Sequence, residues 1–186
     1  METQEAQIAR GLSRRDPDVL EALIDQYRHR LMRYLLHMVS NRVVAEDLFQ
    51  ETWVRVLEKG SLYDGRTPFA AWLLSIARNL TIDYLRKRQR AGVEPINDDP
   101  DEGPVFEPVA LTPSPYEIAA ERERAATIAG ALERVPSIFR EVLVLRFQEQ
   151  MKLEEIASLT GVPLATVKSR LYRGVAALKP ALERNL

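Results

Sequence analysis

Between Leu153 and Leu178, in the stretch LEEIASLTGVPLATVKSRLYRGVAAL, the residues Thr166, Lys168, Ser169, Arg170, Tyr172 and Arg173 set hydroxyls, cations and one aromatic ring close together. Such groups hydrogen-bond to phosphates and base edges. The elements that must carry them follow from the neighbouring residues. Ile156, Ala157 and Leu159 give a first short helix an apolar side. Gly161, four residues after small Ala157, suits the left-handed backbone that ends a helix tightly, and Pro163 stands near the start of the next. Val167, Leu171, Val175 and Leu178 then recur at spacings of four, four and three, which predicts one buried stripe. The pattern is that of a helix-turn-helix with a basic, hydroxyl-bearing second helix. An ordinary helical hairpin with a solvated basic face shares the apolar spacing. The small-residue, glycine and turn register favours DNA binding.

A second group of functional side chains lies upstream. In VVAEDLFQETWVRVLEK, Val44, Leu48, Phe49, Thr52 and Val56 fall on one side at helical spacing and are predicted core. Asp47, Gln50, Glu51 and Val54 fall together elsewhere, an acidic patch around one apolar residue. That patch suits docking on a basic helical partner, although composition by itself favours a plain solvated surface. The helix PFAAWLLSIARNLTIDYLRKRQR buries Phe69, Trp72, Leu73, Ile76 and Leu80 and ends in a basic cluster, Arg86, Lys87, Arg88 and Arg90. Cations at a helix C-terminus offset its dipole, but four in five positions exceed that need and also suit phosphates. In the preceding loop Tyr63 and Arg66 offer a ring and a charge to an unstacked nucleotide; Tyr63 serves equally well as a helix-packing residue.

Catalysis finds little support. His29 and His37 are eight apart on one helix, and neither a glycine-rich phosphate loop nor a nucleophile elbow occurs. Asp98, Asp99, Asp101 and Glu102 lack calcium-loop spacing. With no cysteine, disulfides and thiolate zinc sites are excluded. The N-terminus has no basic start followed by an apolar core, and no apolar run approaches a membrane span, so a cytoplasmic protein is expected.

The net charge of −1 hides a segregation. Residues 1–91 carry 15 Lys and Arg against 12 Asp and Glu; residues 92–116 carry none against 6; residues 117–186 carry 11 against 9. Two mildly basic segments flank an acidic connector, so the average misleads. Asp16-Pro17-Asp18 is a strong helix start, and Leu20, Leu23, Ile24, Tyr27, Leu31, Leu35 and Met38 keep a helical period behind it. Ser40 or Asn41 caps the helix that Gly60 ends, and a short extra helix before Asp16 is allowed. The proline- and acid-rich stretch after Gly92 lacks apolar periodicity and reads as an extended linker. Ser114 with Glu117 makes a capping box for a helix ending near Arg134; Val135-Pro136 opens another whose apolar side is Phe139, Val142, Leu143 and Phe147. No strand pattern appears, so the chain reads as all-α.

With both halves in view, the blocks AEDLFQETWVRV (45–56), FAAWLLSIARNLTIDYLRKRQR (69–90) and LERVPSIFREVLVLRFQEQMKLEEIASLTGVPLATVKSRLYRGV (132–175) resemble, in this order, the extracytoplasmic-function (ECF) sigma factors of the sigma-70 family. The resemblance implies two small helical domains: sigma region 2, a helical bundle, over 1–92, and sigma region 4, a helix-turn-helix, over 116–186, joined by an acidic Pro-rich linker over 93–115. It implies that Asp47, Gln50, Glu51, Val54 and Arg55 meet the β′ clamp helices of core RNA polymerase. It implies that Tyr63, Arg66, Trp72, Arg78, Asn79, Asp83, Arg86 and Arg88 melt and hold the −10 element, and that Thr166, Lys168, Ser169, Tyr172 and Arg173 read the −35 element. The polymerase β flap, promoter DNA and an anti-sigma factor complete the implied partners, with no catalytic site, metal or cofactor. Lys152 departs from the pattern, standing where many relatives carry a capping Ser or Thr, and no further domain is expected after Leu186. Two rivals remain at this stage: a stand-alone helix-turn-helix regulator, and a helical adaptor whose basic helix is only a surface.

Overall fold

The Asp16 carboxylate accepts the backbone N–H groups of Asp18 at 3.0 Å and Val19 at 3.5 Å, and Pro17 occupies the first helical turn, so the first long helix starts where the sequence predicts. The computed structural model describes residues 3–92 and 127–183, with side chains described to Pro180. Contacts divide the chain into two units, Met1–Ile96 and Asn97–Leu186. The expected linker and the Ser114 capping box lie outside the described residues.

The first unit holds α1 (Gln4–Ser13), α2 (Pro17–Val39), α3 (Arg42–Lys59), a single 3-10 turn (Gly60–Leu62) and α4 (Phe69–Arg90). Ser40 closes α2 in the left-handed conformation, and Asn41 caps α3 by accepting the Val44 N–H at 2.9 Å, which decides between the two candidate caps. Helices α2, α3 and α4 pack on one another. Their core is Leu31, Tyr34, Leu35, Met38, Ala45, Val56, Phe69, Leu73, Leu74 and Ala77. Each large apolar side chain removed from water there stabilises the bundle by about 1.5–3 kcal/mol. Two buried hydroxyls need partners and have them within their own helices: Thr52 donates to the Leu48 carbonyl at 2.6 Å and Thr81 to that of Ala77 at 2.8 Å. Tyr27, Tyr63, Phe69 and Trp72 form an aromatic cluster that joins α2, the 63–67 loop and α4, with centroids 5.1–5.8 Å apart in the contacting pairs.

The second unit begins, among the described residues, with α5 (127–133) and continues through α6 (Ser137–Leu143), a π turn (Val144–Gln148), α7 (Leu153–Thr160) and α8 (Leu164–Glu183). Arg140 fastens the α5–α6 turn, donating to the carbonyls of Glu133 at 2.7 Å and Val135 at 3.1 Å. Its burial lowers the guanidinium below its ordinary value, and Glu133 opposes that shift. Leu132, Val135 and Leu143 are buried as one cluster against Phe139, Leu171 and Leu178.

Two expected core positions are corrected here. Phe147 is exposed rather than packed, because the chain widens into the π turn: Glu149 N–H bonds the Val144 carbonyl five residues back, which rotates the following side chains off the α6 stripe. Val175 is 46% exposed and its place on the α8 stripe is taken by Gly174. A Cβ on Gly174 would stand 3.0 Å from Leu143 Cγ and 3.3 Å from the Phe139 carbonyl oxygen, so the missing side chain is what lets α8 lie against α6.

Candidate nucleic-acid interface

Three faces of different chemistry stand out from these scaffolds. On α3 the core-facing residues leave an outer stripe of Val43, Asp47, Gln50, Val54 and Leu57, spaced four, three, four and three. All five are exposed, Val43 to 67%. Asp47 makes no ion pair among the described residues, so its charge is open to a partner. Arg55, by contrast, lies beside the stripe and bridges Glu51 at 2.9 Å and Glu58 at 2.8 Å. Those solvated pairs contribute little to stability, but they hold the acids in a fixed row along the flank. Val43 and Leu57 escaped the sequence reading, although extending the Asp47–Val54 periodicity by one turn each way reaches both.

The loop before α4 answers the question about Tyr63. It is 3% exposed, packed on Phe69 and Trp72, with its hydroxyl bonded to Glu5 and to the Thr67 carbonyl. Of the two alternatives the sequence leaves open, these surroundings favour helix packing: the ring is already stacked within the protein. Burial first, then the Glu5 carboxylate, raise the phenol pKa above its ordinary value, which keeps the hydroxyl a donor. Arg66 is exposed beside Asp64, whose carboxylate also accepts the Arg66 N–H at 3.0 Å and so sets the turn.

On α4, counting about 100° per residue, Trp72, Asn79, Asp83 and Arg86 fall within a sector of roughly 60°. Trp72 is half-buried and the other three are exposed. Arg78 is half-buried off that sector. Arg88 sits roughly 200° round the helix from Arg86 and is half-buried on the side continuing the core. The structure therefore brings four of the six expected α4 residues onto one stripe and sets Arg78 and Arg88 apart. Lys87, Arg88 and Arg90 occupy the last turn, where the helix dipole favours cations.

In the second unit α7 ends at Gly161, whose φ of +69° is the left-handed value the turn requires and whose N–H bonds the Ala157 carbonyl at 3.0 Å. Ile156 and Val167, both fully buried, fix α8 on α7. Lys152 precedes α7 in extended backbone, and Glu155 accepts its N–H at 2.6 Å. An ammonium has no lone pair to return the bond, so only half of a capping box forms. With Val167, Leu171, Gly174 and Leu178 turned inward, α8 presents Lys168, Ser169, Tyr172 and Arg173 to solvent, Tyr172 to 76%, with Thr166 half-buried at the edge. One accessible face thus carries two cations, two hydroxyl donors and the Thr166 hydroxyl beside them, a set able to bond both phosphates and base edges.

Among the described residues no cluster of His, Asp and Glu could hold a metal ion, and no helix is long and apolar enough to cross a membrane. Comparison with known proteins matches two family regions along the chain. Residues 23–91 match the family model for Sigma-70 region 2, and residues 126–178 match that for Sigma-70, region 4. The chain is 34% identical over 165 residues to the ECF RNA polymerase sigma factor SigE of Mycolicibacterium smegmatis, covering 89% of this chain and 62% of that relative's length. It is 32% identical over 167 residues to the ECF RNA polymerase sigma factor SigX of Bacillus subtilis, covering 89% of this chain and 84% of the relative. Among solved structures, the sigma factor RpoE of Bartonella quintana, in complex with the anti-sigma factor NepR, superposes with a TM-score of 0.67 at 24% identity over 88% of this chain and 96% of that one, a likeness of fold.

Proposed function

The chain belongs to the ECF RNA polymerase sigma factors, and from that premise we propose how its three faces divide the work of promoter-specific initiation. As a sigma factor it is a specificity subunit that associates with core RNA polymerase and promoter DNA. The α3 stripe of Asp47, Gln50 and Val54, extended by Val43 and Leu57 and flanked by Glu51, is the surface for the β′ clamp helices: the Asp47 carboxylate and the exposed apolar area suit a basic helical partner. Arg55 orders the flanking acids rather than leading the contact.

Arg66 and the α4 stripe of Trp72, Asn79, Asp83 and Arg86 take the −10 strand, with Arg78 and Arg88 as flanking cations. Unstacking a base costs a few kcal/mol, which contacts to the captured strand offset. The exposed face of α8 reads the −35 element through Thr166, Lys168, Ser169, Tyr172 and Arg173. Neither DNA face is large or strongly charged, so free protein binds promoters weakly, and polymerase supplies the missing affinity by tethering both units. The β flap as a contact of the second unit, an anti-sigma protein as regulator, action in the cytoplasm and the lack of a catalytic site of its own complete the reading.

The observation that carries it is that an acidic-apolar face on α3 stands on a different helix from the polar stripe of α4 and the polar-cationic face of α8. A stand-alone regulator leaves the α3 stripe without a purpose. Two substitutions test the division in reconstituted holoenzyme. Asp47→Arg is expected to lower association with core, whereas Arg173→Ala leaves core association intact and weakens −35-dependent initiation by about 1–3 kcal/mol. Loss of the same function in both variants refutes it.

A further inference from the structure

Phe69 opens α4, and the residue before it is Pro68, which has no side-chain acceptor for the first turn. The acceptor arrives from far along the chain. Glu5, on α1, takes the Phe69 backbone N–H at 2.9 Å. A carboxylate at that end of the helix also suits its dipole. The same carboxylate oxygen accepts the Tyr63 hydroxyl, whose proton it shares with the Thr67 carbonyl 2.7 Å away. Backbone contact reinforces the link: Gly65 has φ of +71°, and a Cβ there would stand 2.9 Å from the Glu5 carbonyl oxygen. One residue of α1 therefore fixes the start of α4, the buried ring of the loop and the loop's apex, and so the placement of Arg66 and Trp72.

We propose that Glu5 is a positioning residue for −10 strand capture: it touches no DNA, but it sets the loop and first α4 turn in the geometry that accepts an unstacked base. The proposal rests on the −10 reading above. It gives α1 a part in the reaction beyond covering one end of the bundle.

The test uses reconstituted holoenzyme and a single-stranded DNA oligonucleotide selected from a random pool by the wild-type holoenzyme. Glu5→Ala is expected to weaken oligonucleotide binding about tenfold, while affinity for core changes less than about twofold. Glu5→Gln keeps one acceptor oxygen and is expected to recover part of the loss. Gly65→Ala, which presses a methyl group on the Glu5 backbone without altering charge, is expected to reproduce the defect. Tyr63→Phe combined with Glu5→Ala should be no worse than the poorer single change, since both remove one linked contact. Oligonucleotide binding unchanged in Glu5→Ala overturns the proposal, as does an equal loss of core and oligonucleotide binding, which marks a general folding role. If wild-type holoenzyme selects no strand at all, the −10 reading itself fails and the proposal falls with it.

Discussion

Replacing Gly174 by Val and Val175 by Ala separates two accounts of how the DNA-reading helix is held. Periodicity in the sequence puts Val175 in the core; the structure puts Gly174 there. A Cβ at position 174 meets Leu143 Cγ at 3.0 Å and the Phe139 carbonyl at 3.3 Å, and the second is helix backbone that cannot swing aside. Overpacking of that kind costs about 1–3 kcal/mol, while leaving glycine regains only a few tenths, roughly, in helix propensity for a β-branched residue. Gly174→Val should therefore destabilise the second unit by about 1–2 kcal/mol. For a unit of this size that is a fall of roughly 4–8 °C per kcal/mol in its melting temperature. Val175→Ala loses partly solvated area and gains helix propensity, so its net effect should stay within about 0.5 kcal/mol. Both tryptophans, Trp53 and Trp72, belong to the first unit. Tryptophan fluorescence in the full-length chain thus follows that unit alone, and helical circular dichroism follows both. The expected result is an early dichroism transition, without a fluorescence counterpart, in Gly174→Val only. A neutral Gly174→Val beside a costly Val175→Ala would refute the packing argument.

Other consequences follow from single residues. Leu57→Asp puts a charge on the apolar end of the α3 stripe and should weaken core association about tenfold, measured by competition for core, with the chain's melting unchanged. Lys152→Ser supplies the missing acceptor at the start of α7 and should stabilise the second unit by about 1 kcal/mol in urea titrations. The Tyr63 phenol is held above its ordinary value of 10.0, so the stability it confers is complete below pH 10.0 and is lost as pH rises beyond it. Denaturation on either side of pH 10.0 should show a steeper alkaline decline in wild type than in Tyr63→Phe.

What the sequence made legible was local. The cap at Asp16, the glycine stop at Gly161 and the exposed cations of α8 depend on neighbours a few residues away, and each appears as expected. Tyr63 was ambiguous because its hydroxyl is held by Glu5, fifty-eight residues upstream, and no spacing rule links them. The choice between Gly174 and Val175 turned on how near α6 approaches, a tertiary fact that an apolar pattern misreads when the closest contact needs no side chain. Phe147 left its predicted face because the π turn broke the period that the prediction assumed. Val43 and Leu57 lie one turn beyond Asp47 and Val54 on the same period, and the packing of α2 and α4 on α3 leaves both exposed.

Transcription from sigma-free core polymerase, with and without this chain, over a library of bacterial promoters is the most direct test of a sigma-factor role. The expected result is a discrete set of transcripts that appear only with both components, and little binding of the same promoters by the chain alone. Tight, sequence-specific binding by the free chain, together with no transcript from any promoter, would contradict it.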